Sequence, residues 1–203
     1  AAIAGLSMLL TPALAKLGKM LVQSTAPAPE TGPALEDFTD LEGHVVIAGM
    51  GRVGKAIGRV LETEGVEVLA LDRNAARVAD ARKDGWRAYF GDASVPEILK
   101  RAGAARAELF AVTADDPEKA CAMVTSIRKL RPDAPIMARA RDGDHAARLV
   151  KAGATYVTPE AIEAALQLAG RALEHLGLPQ ETVRDRLAQE RDDEYARGEA
   201  EKG

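Results

Sequence analysis

Three glycines stand at G-x-G-x-x-G spacing in Gly49-Met50-Gly51-Arg52-Val53-Gly54, directly after the apolar run His44-Val-Val-Ile-Ala48. At this spacing the first glycine permits a tight turn and the second lets the backbone approach a pyrophosphate with no Cβ in the way. The third lets the following helix pack close to the strand. Free N–H groups and the dipole of a helix starting at 52 then favour an anion. The same glycines also suit turn geometry alone, so the inference rests on the strand–turn–helix context. Asp72 follows Gly54 by 18 positions, at the end of a second apolar run, where a carboxylate can accept hydrogen bonds from ribose hydroxyls. That favours NAD(H), AMP or a related adenosine nucleotide over NADP, whose 2′-phosphate would be repelled. Arg73 works against this preference, because an arginine can pair with that phosphate. Asp72 also suits a plain helix cap.

Asp92, in Tyr89-Phe90-Gly91-Asp92-Ala93, falls at the end of a third strand, on the edge where such sheets bind ligands, and can bond an adenine amino group. A helix cap is the competing role, since Asp92 or Ser94 precedes Pro96. Thr113 ends the fourth strand and flanks the nucleotide; Arg139 or Arg141 after the fifth can reach it or a second ligand. No catalytic or metal site is expected. His44, His145 and His175 show no ligand spacing, and no separate substrate domain presents an acid or base to a nicotinamide ring. Cys121 reads as a structural thiol on a helix.

These residues must be positioned by alternating strands and helices, the pattern of a parallel sheet covered on both faces. Strands are expected at 44–49, 66–71, 87–90, 108–113, 135–140 and 155–158. Helices are expected at about 52–64, 74–84, 95–102, 117–130 and 143–152. Asp116-Pro117 supplies a capping carboxylate and then a proline at a first-turn position that needs no N–H. Beyond Pro159 the pattern stays helical to Gly177, and Pro179 opens a charged helix whose last residues are expected to fray.

With 203 residues, one domain plus tails is the expectation. The 27 basic and 31 acidic side chains are mixed along the chain for a net charge of −4, so no basic stripe points to nucleic acid. One cysteine excludes an intramolecular disulfide framework and fits a reducing compartment. Residues 1–15 carry no charge before Lys16 and Lys19, which reads as the end of a transmembrane helix with a cytoplasmic domain after it. A buried or interfacial helix is the alternative. A signal peptide is a third, imitated by Ala13-Leu14-Ala15 but without a preceding basic segment. The expected organisation is therefore a helix end at 1–22, a proline-rich linker at 23–42, a nucleotide-binding domain at 43–158, and C-terminal helices with a charged tail at 159–203.

Taken together, His44–Gly54, Leu71-Asp72, Tyr89–Ala93, Ala102-Gly-Ala104, Asp115-Asp-Pro117 and Ala138-Arg-Ala-Arg-Asp142 resemble the RCK (KTN, or TrkA-N) domain. The resemblance is closest to the form attached to Kef-type potassium/proton antiporters, and Leu6–Pro12 is similar to the end of their last membrane helix. It implies an α/β, Rossmann-like doubly wound sheet in a non-enzymatic regulatory domain. Such a domain dimerises, binds AMP or NAD(H), and controls potassium efflux through a fused membrane antiporter at the cell membrane. The candidate nucleotide-binding set is Gly49, Met50, Gly51, Arg52, Val53, Gly54, Asp72, Arg73, Asp92, Ala93 and Thr113. An NAD-dependent oxidoreductase fragment and the gating subunit of a potassium channel or uptake system are the alternatives. Some Kef proteins respond to glutathione through a Gly-Arg pair. Here Glu160-Ala-Ile-Glu163 stands where the family has an acidic-Thr-aromatic-Glu run, and in Ala169-Gly170-Arg171 the arginine is shifted by one position, about 100° on a helix, which argues against glutathione control.

Overall fold

The computed structural model describes Phe38 and residues 41–200. Six apolar runs form strands: β1 (Val45–Ala48), β2 (Val68–Asp72), β3 (Arg87–Phe90), β4 (Leu109–Val112), β5 (Ile136–Ala140) and β6 (Tyr156–Pro159). They pair parallel in the order β3-β2-β1-β4-β5-β6, the doubly wound order expected for a Rossmann-like sheet. The connecting helices are α1 (Arg52–Thr63), α2 (Ala75–Lys83), α3 (Pro96–Arg101), α4 (Pro117–Leu130) and α5 (Gly143–Ala152). Two further helices, α6 (Glu160–His175) and α7 (Gln180–Ala200), follow the last strand.

Every residue of β1 and β2 is buried, as strands covered on both faces require. Alternate residues feed two cores. Val46, Ala48, Leu69 and Leu71 face Leu99, Met123, Ile127 and Leu149 from α3, α4 and α5. Val45, Ile47, Val68 and Ala70 face Val78 and Ala81 of α2 and the partly buried Ile57 and Leu61 of α1. Burying one such side chain contributes about 1.5–3 kcal/mol, so the central strands are the rigid base of anything built on their ends.

The boundaries depart from the sequence reading in ways the backbone explains. β1 stops at Ala48, not 49, because Gly49 turns out of the strand with φ +115°. β2 starts at Val68, not 66, because the Val66 N–H still donates to Leu61 O in the turn closing α1. Asp116 does cap α4, accepting from the N–H groups of Glu118 and Lys119, with Pro117 at the first helical position.

Of the expected linker, only its end lies among the described residues. Phe38 is docked there: its N–H donates to Arg101 O at 2.8 Å and its ring lies 4.8 Å from that of Tyr89. The segment read as a membrane-helix end (1–22), most of 23–42, and residues 201–203 lie outside the described residues. Among the described residues, no helix is long and apolar enough to cross a membrane.

Candidate functional site

The sheet order reverses between β1 and β4, and the crevice at that switch point is where a doubly wound sheet takes a ligand. Gly49 leaves β1 there and Thr113 leaves β4. The Thr113 hydroxyl donates to Gly49 O at 2.7 Å, and the Thr113 N–H donates to Ala48 O at 2.9 Å, so the two strand ends are tied together. Gly49 needs its positive φ. Gly54 is required for another reason, since a Cβ there would run into the Gly49 carbonyl oxygen and lie 3.0 Å from Thr113 Oγ1. The third glycine of the motif thus brings α1 against the turn, as expected.

Gly51 is different. It caps α1 with φ −72°, and a Cβ added to it would meet only Arg77 Nη1, at 3.7 Å. The protein itself makes no demand for glycine there. Among the described helices, α1 alone has neither a side-chain cap nor an acidic residue in its first turn. Its end therefore presents unsatisfied N–H groups and the positive end of the helix dipole to a cavity of about 580 Å³, where Arg52, Lys55 and Arg77 stand on the lining and the two lining carboxylates, Asp115 and Glu160, are paired with Arg139. An anion fits this end better than water does.

Asp72 sits beside the turn with 7% of its surface exposed. Its Oδ2 accepts from the Met50 N–H at 2.7 Å and its Oδ1 from the Asn74 N–H at 2.7 Å. It does not cap α2, where the Asn74 side chain accepts from Arg77 N instead. Each carboxylate oxygen keeps a second lone pair for a ligand hydroxyl. Asp72 lines a cavity of about 370 Å³ together with Gly49, Asn74, Arg77, Gly91 and Asp115.

The rest of the expected set is placed unevenly. Arg73 lines that same cavity, but its Nε lies 3.3 Å from Asp92 Oδ2, so an acid already neutralises it. The other Asp92 oxygen accepts from the Ser94 N–H and hydroxyl, and α3 is capped by Val95 with no side-chain bond, so Asp92 is not a helix cap. Ala93 is buried in the core at 1% exposure, leaving only its backbone for any ligand. Met50 is likewise buried, and Val53 and Thr113 line the cavity beside α1. Arg141 is exposed and paired with its neighbour Asp142.

Four charged residues, Arg77, Asp115, Arg139 and Glu160, join the site that the sequence reading did not include or left open. Arg77, in the first turn of α2, lies 3.7 Å from Asp72 Oδ2 and 3.8 Å from Asp115 Oδ2, over the glycine turn. Asp115 is held below the usual carboxylate range by its hydrogen bond from Arg139, with Arg77 and Arg52 adding to the effect. Arg139 reaches Asp115 Oδ1 at 2.6 Å and Glu160 Oε2 at 2.6 Å. Burial opposes its charge, but the two carboxylates outweigh burial and raise its pKa. A sequence signal for Arg77 existed: it stands in the first turn of the helix that follows the acid ending β2.

Burial raises the Cys121 thiol above its ordinary range, as a structural thiol requires. Among the described residues, no group of three or more His, Cys, Asp or Glu could hold a metal.

A family model described as the TrkA-N domain matches residues 45–159. The chain is 37% identical over 179 residues to K(+) efflux antiporter 2, chloroplastic, of Arabidopsis thaliana, covering 87% of this chain and 15% of that protein. It is 36% identical over 181 residues to the glutathione-regulated potassium-efflux system protein KefC of Escherichia coli O17:K52:H18 (strain UMN026 / ExPEC), covering 89% of this chain and 29% of KefC. Among solved structures, the Shewanella denitrificans Kef C-terminal domain in AMP-bound form superposes with a TM-score of 0.68 at 29% identity. That match covers 77% of this chain and 95% of the Shewanella chain. The chain spans 15–29% of the length of the two full-length relatives.

Proposed function

We propose that this chain, which belongs to the TrkA-N domain family, is the nucleotide-binding regulatory domain of a potassium-efflux antiporter, and that it reads an adenosine nucleotide without reacting it. The observation that carries the proposal is the α1 N-terminus, with no side-chain cap and no acidic residue in its own first turn, opening over a glycine whose Cβ would meet little protein. AMP, which the similar Shewanella domain holds, suits this arrangement. Its phosphate would sit at the N–H groups of α1, with Arg77 and Arg52 as nearby cations. Its ribose hydroxyls would donate to the open lone pairs of Asp72. NAD(H) offers the same adenosine half. The two buried histidines do not line either cavity, so neither serves as acid or base to a bound ligand.

A ligand moves a transporter only by binding one of its states more tightly than another. The elements bordering the site are suited to carry that difference. Glu160, paired with Arg139, is the first residue of α6, so a change at the crevice bears directly on the helices that follow the sheet. We infer that a second copy of the chain packs on these helices, where Leu168 and Leu176 are 73% and 74% exposed. Glutathione is not the effector we propose. Arg171 is turned outward and paired with Glu174, while Gly170 packs against Leu187.

Calorimetric titration of the purified chain tests the reading. AMP is expected to bind, and NADH to bind more tightly than NADPH. Tighter binding of NADPH would show that Arg73 outweighs Asp72, and robust hydride transfer by the chain would replace regulation with catalysis.

A further inference from the structure

Three cavities lie in sequence along the C-terminal edge of the sheet, and the residues they share mark the boundaries between them. The first, about 370 Å³, contains Asp72 and Gly91 and shares Arg77, Thr113 and Asp115 with the second. The second, about 580 Å³, lies at the α1 N-terminus and shares Val53, Thr113, Arg139 and Glu160 with the third. The third, about 690 Å³, has a mainly apolar lining that includes Ala111, Met137, Tyr156 and Leu166. The charged boundary residues form one alternating chain: Arg77, Asp115, Arg139, Glu160.

The two boundaries are not equally firm. At the first, Arg77 lies 3.8 Å from Asp115, and both side chains are about half exposed or more, at 47% and 64%. A pair that long and that wet contributes little, so a phosphate can take Arg77 over at small cost. At the second, Arg139 is only 19% exposed and reaches two carboxylates, 64% and 50% exposed, with contacts of 2.6 Å to Asp115 and 2.6–2.7 Å to Glu160, so the firmness lies in the short contacts and the covered guanidinium. Pulling it aside would leave a largely buried guanidinium without partners, which is far more costly.

Resting on the reading of the crevice as an adenosine-nucleotide site, we propose that the Arg139–Glu160 pair is a partition that restricts the site to mononucleotides and excludes the second half of a dinucleotide. An adenosine on Asp72 with its phosphate at α1 fills the first two cavities and crosses only the weak boundary. The second ribose and base of a dinucleotide must cross the firm one to reach the third cavity. Glu160 sets ligand length through Arg139, at the wall that the second cavity shares with the third.

The test compares AMP with NADH by calorimetry on the purified chain and on Glu160→Ala, with Glu160→Gln as the variant that preserves side-chain volume. The unaltered chain is expected to bind AMP at least tenfold more tightly than NADH. Glu160→Ala is expected to raise NADH affinity relative to AMP about tenfold, and Glu160→Gln to fall between. A melting curve for each variant identifies any that fails to fold, in which case the other carries the comparison. Equal or tighter NADH binding by the unaltered chain overturns the partition. So does an AMP-to-NADH ratio that neither variant changes, and in both cases the nucleotide site itself stands. Binding of neither ligand removes the nucleotide reading and the partition with it.

Discussion

Replacing Gly51 with alanine separates the fold from the ligand. The φ of −72° at Gly51 is open to any residue, and the added methyl would meet only Arg77 Nη1 at 3.7 Å, an ordinary contact with the end of a flexible side chain. Alanine is a poorer N-cap than glycine by about 0.5–1 kcal/mol. Against this, alanine loses less backbone freedom on folding, which returns about 0.4–1 kcal/mol. The two nearly cancel, so Gly51→Ala is expected to unfold in urea within about 0.5 kcal/mol of the parent by the same balance. Binding should respond differently, because the methyl projects where a phosphate must approach the α1 N–H groups. A misplaced methyl in a closely packed contact costs roughly 1–3 kcal/mol, or about 5- to 150-fold in affinity. Urea denaturation and AMP calorimetry on the same preparation give both quantities. If Gly51→Ala binds AMP within twofold of the parent, the phosphate does not lie over this turn.

Gly54→Ala is the converse case: its Cβ collides with the rigid backbone of Gly49, and about 3 kcal/mol or more of stability should be lost, visible in the urea midpoint. A stable Gly54→Ala would show that α1 can back away from the turn. Burial lowers the pKa of both His44 and His145 from 6.5, so the unfolded chain takes up protons first. Stability is therefore full above pH 6.5 and falls as the pH drops below it, before the carboxylates titrate. A denaturation free energy that stays flat from pH 7.5 to 5.5 would contradict the burial of these rings. Glu163 accepts from Arg191 Nε and Nη2 at 2.7 and 2.9 Å and from the Tyr195 hydroxyl at 2.9 Å. Burial, and then the hydrogen bond to Glu163, pushes the Tyr195 hydroxyl up to about 12. Glu163→Gln should cost about 1 kcal/mol, discounted for the partial exposure of Arg191, and speed amide exchange in α7. Unchanged exchange would mean that Val183 and Leu187 suffice to hold that helix. Sedimentation should show a dimer that Leu168→Glu weakens at least tenfold; a monomeric parent chain would refute the second copy.

The glycine turn and the six strands were legible because each is written locally. A β-branched run, a glycine spacing or an Asp-Pro cap specifies its own conformation within a few residues. Asp72 was legible for the same reason, since its position at a strand end fixes which edge of the sheet it occupies. The partners of these residues were less legible. Arg77, Asp115, Arg139 and Glu160 come from four separate segments, and only the reversal of strand order at β1 and β4 brings them to one crevice. Asp92 illustrates the limit from the other side. Its strand-end position was correctly read, but its ion pair with Arg73 depends on how two adjacent loops meet. The docking of Phe38 was hidden in a stretch whose prolines signal a linker, where one aromatic residue carries little weight against composition.

The most direct test of the central claim is potassium efflux from vesicles containing the full-length polypeptide that carries this domain, measured with and without AMP. AMP near the dissociation constant of the unaltered protein should change its efflux rate, and the Gly51→Ala form should need about 5- to 150-fold more AMP for the same change. An efflux rate indifferent to AMP in the unaltered protein, under conditions where the domain binds it, would contradict the account.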